Sequence, residues 1–95
     1  MSKITDFAEG KDCTARIPGL CKNDTATTVW AHIRSIRWGS GTGEKPPDII
    51  GLIACQACHD EIDRRTRHVE KDWVKLLAYE GHCESLYLLH KAGVI

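Results

Sequence analysis

Ninety-five residues make one domain, and a domain this small buries too little apolar surface to be comfortably stable alone, so a structural metal would be a natural source of the missing stability. Thirteen basic residues balance thirteen acidic ones, which removes net charge as an argument for a nucleic-acid partner and moves the question to how the charges are distributed. No apolar run approaches the roughly 18 residues of a membrane span, and the polar opening Met1-Ser2-Lys3-Ile4-Thr5-Asp6 is unlike a signal peptide, so the expectation is a cytoplasmic, reducing setting without a membrane partner.

Residues 1–12 carry no strong pattern and read as loop, with Phe7-Ala8 packing on the domain edge. In Cys13-Thr14-Ala15-Arg16-Ile17-Pro18-Gly19-Leu20-Cys21 the Pro-Gly pair is a turn signal that lets the chain double back and bring the two cysteines together. Thr28 to Ile33 has the β-branched and aromatic content of a strand, with His32 near its end. Arg34 to Pro47 holds three glycines and two prolines and reads as an exposed loop, closed by Asp48. A second strand over Ile49 to Ala54 is expected antiparallel to the first. A helix follows from near Cys55 to about Arg67. These elements form a core over about 13–68. From about Glu70 the apolar residues Trp73, Leu76, Leu77, Cys83, Leu86 and Tyr87 recur at helical spacing, which predicts a C-terminal helical extension over about 70–92 with those residues on its buried face. Gly81 predicts a bend there, or two shorter helices.

The chemistry concentrates in Cys55-Gln56-Ala57-Cys58-His59. Two cysteines two residues apart can put both sulfurs on one small cation, and an odd total of five argues for a metal site over a disulfide framework. Cys13 and Cys21 would complete a closed tetrahedral site of four sulfurs, structural zinc, although the seven residues between them are more than the usual spacing. His59 serves the same cation or a different one, or simply opens the helix. His32 is a catalytic candidate or a hydrogen-bonded histidine at a strand end. Cys83 reads as core, and His68, His82 and His90 as surface or partly buried side chains. Two local basic clusters flank the Cys/His stretch: Arg34, Arg37 and Lys45 before it, and Arg64, Arg65, Arg67 and Lys71 after it. They are either solvated faces or cations that position a DNA backbone without reading sequence. Trp38 reads equally as a core cap or as a ring that stacks on a base.

Strand, glycine-rich loop, strand, helix, with Ala31-His32-Ile33 ending the first strand and Cys55-x2-Cys58-His59 opening the helix, resembles the HNH nucleases, whose core is the ββα-metal motif, in their zinc-stapled form. The segments Cys13-x-x-Arg16-Ile17-Pro18-Gly19-x-Cys21, Lys45-Pro46-Pro47-Asp48 and Ile53 to Thr66 are similar to a family of small nucleases of lambdoid prophages. The resemblance implies an α+β fold, a zinc-stapled ββα-metal domain. It implies a metal-dependent DNA endonuclease acting on phosphodiester bonds in phage recombination or DNA processing. His32 would then be the general base, and His59, helped by Asp48 or Asp63, would hold Mg2+ or another divalent ion. Ala31 stands where many members carry a metal-binding His or Asp, and the central Asn of the motif is missing. The rival expectation is a non-catalytic zinc-binding module for DNA or a recombination protein.

Overall fold

The computed structural model describes residues 3–38 and 47–95, with the backbone alone at Ile36. The centre of the glycine-rich loop, Lys45 included, lies outside the described residues. The elements are α1 (Lys3–Ala8), β1 (Val29–His32), β2 (Gly51–Ala54), α2 (Gln56–Ile62) and α3 (Lys71–Lys91), with short 3-10 turns at Thr25–Thr27 and Ile36–Trp38. This is a small α+β domain. No helix among the described residues is long and apolar enough to cross a membrane.

β1 and β2 pair antiparallel, as their order and the intervening loop predict, with Trp30 opposite Ile53, Ala31 opposite Leu52 and His32 opposite Gly51. Alternation of side chains along a strand gives this two-stranded sheet two different faces. Ala31, Leu52 and Ala54 join Cys13, Cys55, Cys58, Val74 and Ala78 in one buried cluster. Trp30 and Ile53 pack on the other side with Ala8 and Leu89. The loop expected over residues 1–12 is thus partly helical: α1 exists because Ala8 is fully buried against that second face, with Ile4 and Phe7 beside it. Gly51 admits Trp30 beneath it, since a Cβ there would stand 2.5 Å from Trp30 Nε1 and 2.7 Å from the Ala31 carbonyl oxygen.

The C-terminal extension differs most from expectation. It is one helix of 21 residues, and its buried residues are Val74, Ala78, Gly81, Ser85 and Leu89. Trp73, Leu76, Tyr87 and Cys83, assigned to the core by their hydropathy, are exposed. The reason is what the helix packs on. α3 lies along the outer edge of β2, where unpaired backbone groups need partners and bulky side chains would hold the helix away. The Ile53 N–H donates to Ser85 Oγ (2.9 Å), and Thr14 Oγ1 lies 2.8 Å from the Ile53 carbonyl and 3.1 Å from Ser85 Oγ. The Thr14 N–H also donates to the Ile53 carbonyl (2.7 Å). His82 Nδ1 donates to the Gly51 carbonyl (2.6 Å). The edge is closed by side chains in place of a third strand.

Two consequences are measurable. Ser85→Ala removes the acceptor of a buried N–H, so stability should fall by about 1–3 kcal/mol, read as a lower urea midpoint with unchanged slope. Gly81 fits because it has no side chain: a Cβ would meet Leu52 Cδ1 at 2.7 Å, Thr14 Oγ1 at 3.0 Å and the Thr14 carbonyl oxygen at 3.2 Å. Leu52 is itself fully buried and has little room to retreat. Gly81→Val should therefore cost about 2 kcal/mol or more by overpacking, despite the better helix former, and thermal unfolding will show it.

α2 is shorter than the sequence suggests, ending at Ile62 with Asp63 as its C-cap and Arg64 at φ 62°. Glu61, fully buried, stops it. Its carboxylate accepts the Thr66 hydroxyl (2.5 Å) and the backbone N–H groups of His68 (2.8 Å) and Val69 (2.7 Å). These bonds outweigh burial, which alone would raise its pKa, and hold Glu61 below the usual carboxylate range. The captured loop turns the chain into α3.

Candidate functional site

The turn signalled by Pro18-Gly19 does bring Cys13 and Cys21 to Cys55 and Cys58. All four sulfurs lie within 4.8 Å of one another, and Cys21 Sγ and Cys55 Sγ are 3.9 Å apart. A tetrahedral cation with metal–sulfur bonds of about 2.3 Å needs sulfurs about 3.8 Å apart, so the cluster has the dimensions of a four-thiolate zinc site. The separation is far beyond a disulfide bond, and all five cysteines are free. Cys13, Cys55 and Cys58 are buried and Cys21 is half-buried, as a closed structural site requires.

The backbone is bent to serve those sulfurs. Arg16 (φ 46°) and Asn23 (φ 44°) adopt the left-handed conformation that non-glycine residues rarely take, each just past a cysteine. A hydrogen bond from the Cys58 thiol, opposed by burial and aided by N–H groups of Arg16, Cys55 and Ala15, holds Cys13 well below the ordinary thiol range. The same bond, with burial added, pushes Cys58 far up. Burial raises Cys21, against an N–H bond from Asn23. N–H donors turned onto sulfur stabilise negative charge there, which is what a thiolate ligand set demands. Outside this knuckle, Arg16 forms a bidentate pair with Glu84 of α3 (2.7 and 2.6 Å), tying it to the helix. Sequence reasoning missed Arg16 in that role; its place three residues after Cys13 was the available signal.

The residues assigned to catalysis and a second ion form two histidine–carboxylate pairs. His32 Nε2 lies 3.1 Å from Asp48 Oδ1, and His59 Nε2 lies 3.2 Å from Asp63 Oδ2 one helical turn away. A carboxylate can only accept, so each pair puts a proton on Nε2, and the neutral ring then carries its lone pair on Nδ1. Burial raises the Asp63 pKa, but His59, Arg34 and Arg65 outweigh it and keep the group ionised. Among the described residues the four cysteines are the one group of three or more ligands close enough to share an ion, so Asp48, His59 and Asp63 do not converge as a set. The pleat also matters. Ala31 and Leu52 face the cluster that contains α2, whereas His32 lies on the alternate side with Trp30, so the rim past the end of β1 begins with Ile33 and not with His32.

At that rim the end of β1 meets the end of α2. A cavity of about 350 Å3 is lined there by Ile33, Arg34, Arg37, Ile62, Asp63 and Arg64, and on the α3 side by Lys71, Lys75 and Tyr79. The two basic clusters of the sequence thus meet in part. Arg64 is engaged, donating to the Val69 carbonyl (3.1 Å) and lying 3.5 Å from Glu61. Arg65 sits 3.5 Å from Asp60 and 3.9 Å from Asp63. Arg67 is exposed. Trp38 donates from Nε1 to the Ile33 carbonyl (2.7 Å) and packs against the first core cluster, the capping role. Of these, Lys71 belongs to the second basic cluster of the sequence; Lys75 and Tyr79 are additions, and their spacing of four from Lys71 along one helix face was the signal.

A family model described as "Putative nuclease YbcO" matches residues 2–94. Proteins described as putative nuclease YbcO from Escherichia coli strain K12 and from Enterobacteria phage 82 are each 47% identical over 95 residues, covering 100% of this chain and 98% of theirs. A solved structure, that of a putative bacteriophage protein from Escherichia coli K-12 MG1655, superposes with a TM-score of 0.81 at 46% identity, covering 94% of this chain and 98% of that one. Over effectively its whole length, then, the chain belongs to the YbcO putative nuclease family.

Proposed function

We propose that this protein is a zinc-stapled, metal-dependent DNA endonuclease of the HNH type that hydrolyses phosphodiester bonds in phage recombination or DNA processing. The observation that supports this most is the His59–Asp63 couple, whose Asp63 lines a cationic cavity, with His32–Asp48 as a second couple at the end of β1, in a chain whose relatives are named putative nucleases. The zinc held by Cys13, Cys21, Cys55 and Cys58 is structural and takes no part in the chemistry. His32, with its proton fixed on Nε2 by Asp48, offers Nδ1 as the general base that removes a proton from the attacking water. His59 Nδ1, oriented by Asp63, would hold Mg2+ or a similar divalent ion. That ion supplies charge on the scissile phosphate and on the leaving oxygen. Arg34, Arg37, Arg65, Arg67 and Lys45 hold the backbone electrostatically, which predicts steep salt dependence.

The test is nicking of supercoiled plasmid by zinc-loaded protein with added Mg2+, Mn2+ or Ni2+. Divalent-dependent conversion to open circles is expected. One observation favours a second reading. Ala31 is fully buried in the core where many HNH proteins present a ligand, which suits a zinc module that binds DNA without cutting it. Salt-sensitive binding with no nicking under any of the three ions would establish that module.

A further inference from the structure

We propose that the cavity at the junction of β1, α2 and α3 is a subsite for one unstacked nucleotide of single-stranded DNA; the choice of polymer rests on the nuclease reading above. Five cations and a single carboxylate line it in a chain with no net charge, so basic residues are concentrated there. With Arg64 engaged by Val69 and Glu61, the cations left to meet a phosphate are Arg34, Arg37, Lys71 and Lys75. Behind them the wall is apolar: Ile33, Ile62, Val74 and Ala78, with the ring of Tyr79 at the side. Phosphates of an intact duplex would use the cations and leave that wall wet, because stacked, paired bases stay turned inward, away from the cleft. A nucleotide turned out of its stack satisfies both parts at once, its base against the wall and Tyr79 and its phosphates on the rim. The size agrees. About 350 Å3 is near the lower end of the roughly 300–1,000 Å3 typical of small-ligand clefts, and it accommodates one nucleotide. The cavity is continuous with the proposed chemistry, since Asp63 lines it and also orients His59.

Fluorescence anisotropy of zinc-loaded protein without added divalent ion, using labelled oligothymidylate and a duplex of equal length, tests this. The single strand should bind more tightly. Tyr79→Ala should weaken single-strand binding about tenfold and leave duplex binding unchanged, with Tyr79→Phe close to wild type. The double variant Lys71→Ala/Lys75→Ala should lower the salt slope by about 1.4, two phosphate contacts' worth for a single strand. Tyr79, Lys71 and Lys75 are exposed, so matching thermal midpoints will show that these variants fold. Equal affinity for the two polymers, or no effect of Tyr79→Ala on single-strand binding, overturns the subsite. A protein that binds in this pattern yet never nicks plasmid retains the subsite and loses only the nuclease reading.

Discussion

Removing the metal, by a strong chelator or by Cys55→Ser, is expected to unfold this protein at room temperature. The four sulfurs come from the turn at Cys13 and Cys21 and from the start of α2, so a cation held by them would tie the N-terminal knuckle to the helix, beyond the bonds of Thr14 to Ile53 and Ser85. Cys13, Cys55 and Cys58 are also part of the main buried cluster, which loses its common anchor with the ion. Structural zinc contributes about 10–16 kcal/mol in finger peptides, against a whole-domain stability of about 5–15 kcal/mol. The exposed Arg16–Glu84 pair, by contrast, contributes at most about 1 kcal/mol. Far-ultraviolet circular dichroism and metal content measured on the same sample will show loss of helix in step with loss of zinc. Cys83→Ser, on the exposed face of α3, should bind metal and fold as wild type does. A chelated protein that keeps its helical signal and a cooperative thermal transition would show that packing suffices without the ion.

His32→Ala is expected to reduce plasmid nicking by a factor of about 10²–10⁴, the usual contribution of a positioned general base. His32 is partly exposed at the end of β1, so its removal should change stability little and leave zinc content at one per chain, which separates a chemical loss from a structural one. Asp48→Asn should have a smaller effect in the same direction, because the imidazole remains and only its tautomer and orientation are freed. Retained nicking in His32→Ala at full zinc loading would remove this residue from the mechanism. It would also direct attention to a base on the other face of the sheet.

What was legible in the sequence was local or chemically rare. Cys55-x2-Cys58 announces a cation by spacing alone, and the Pro18-Gly19 turn explains how a pair as widely separated as Cys13 and Cys21 reaches it. The two strands, their antiparallel pairing and the start of α2 follow from apolar and β-branched runs on either side of a glycine-rich loop. The buried face of α3 was not legible, because periodicity weights bulky residues and the helix is apolar on more than one side. Contact with a strand edge selected Gly81 and Ser85, which hydropathy counts as surface, over Trp73 and Tyr87, which it counts as core. The end of α2 was hidden for a related reason. Glu61 looks like one more charged residue in a charged run until its carboxylate is seen holding the Thr66 hydroxyl and the N–H groups of His68 and Val69. Asp63 could be placed with His59 by its spacing of four residues, whereas the bond between His32 and Asp48 depends on where the intervening loop returns.

The claim that joins these parts is that one chain carries two metal positions with separate duties, sulfurs for stability and a histidine–carboxylate pair for chemistry. Anomalous diffraction from crystals of zinc-loaded protein soaked in Mn2+ addresses it directly. The expected result is zinc signal at the four sulfurs and a distinct manganese signal within bonding distance of His59 Nδ1, the latter lost in His59→Ala. Manganese scattering nowhere near that ring, with the zinc peak in place, would contradict the account.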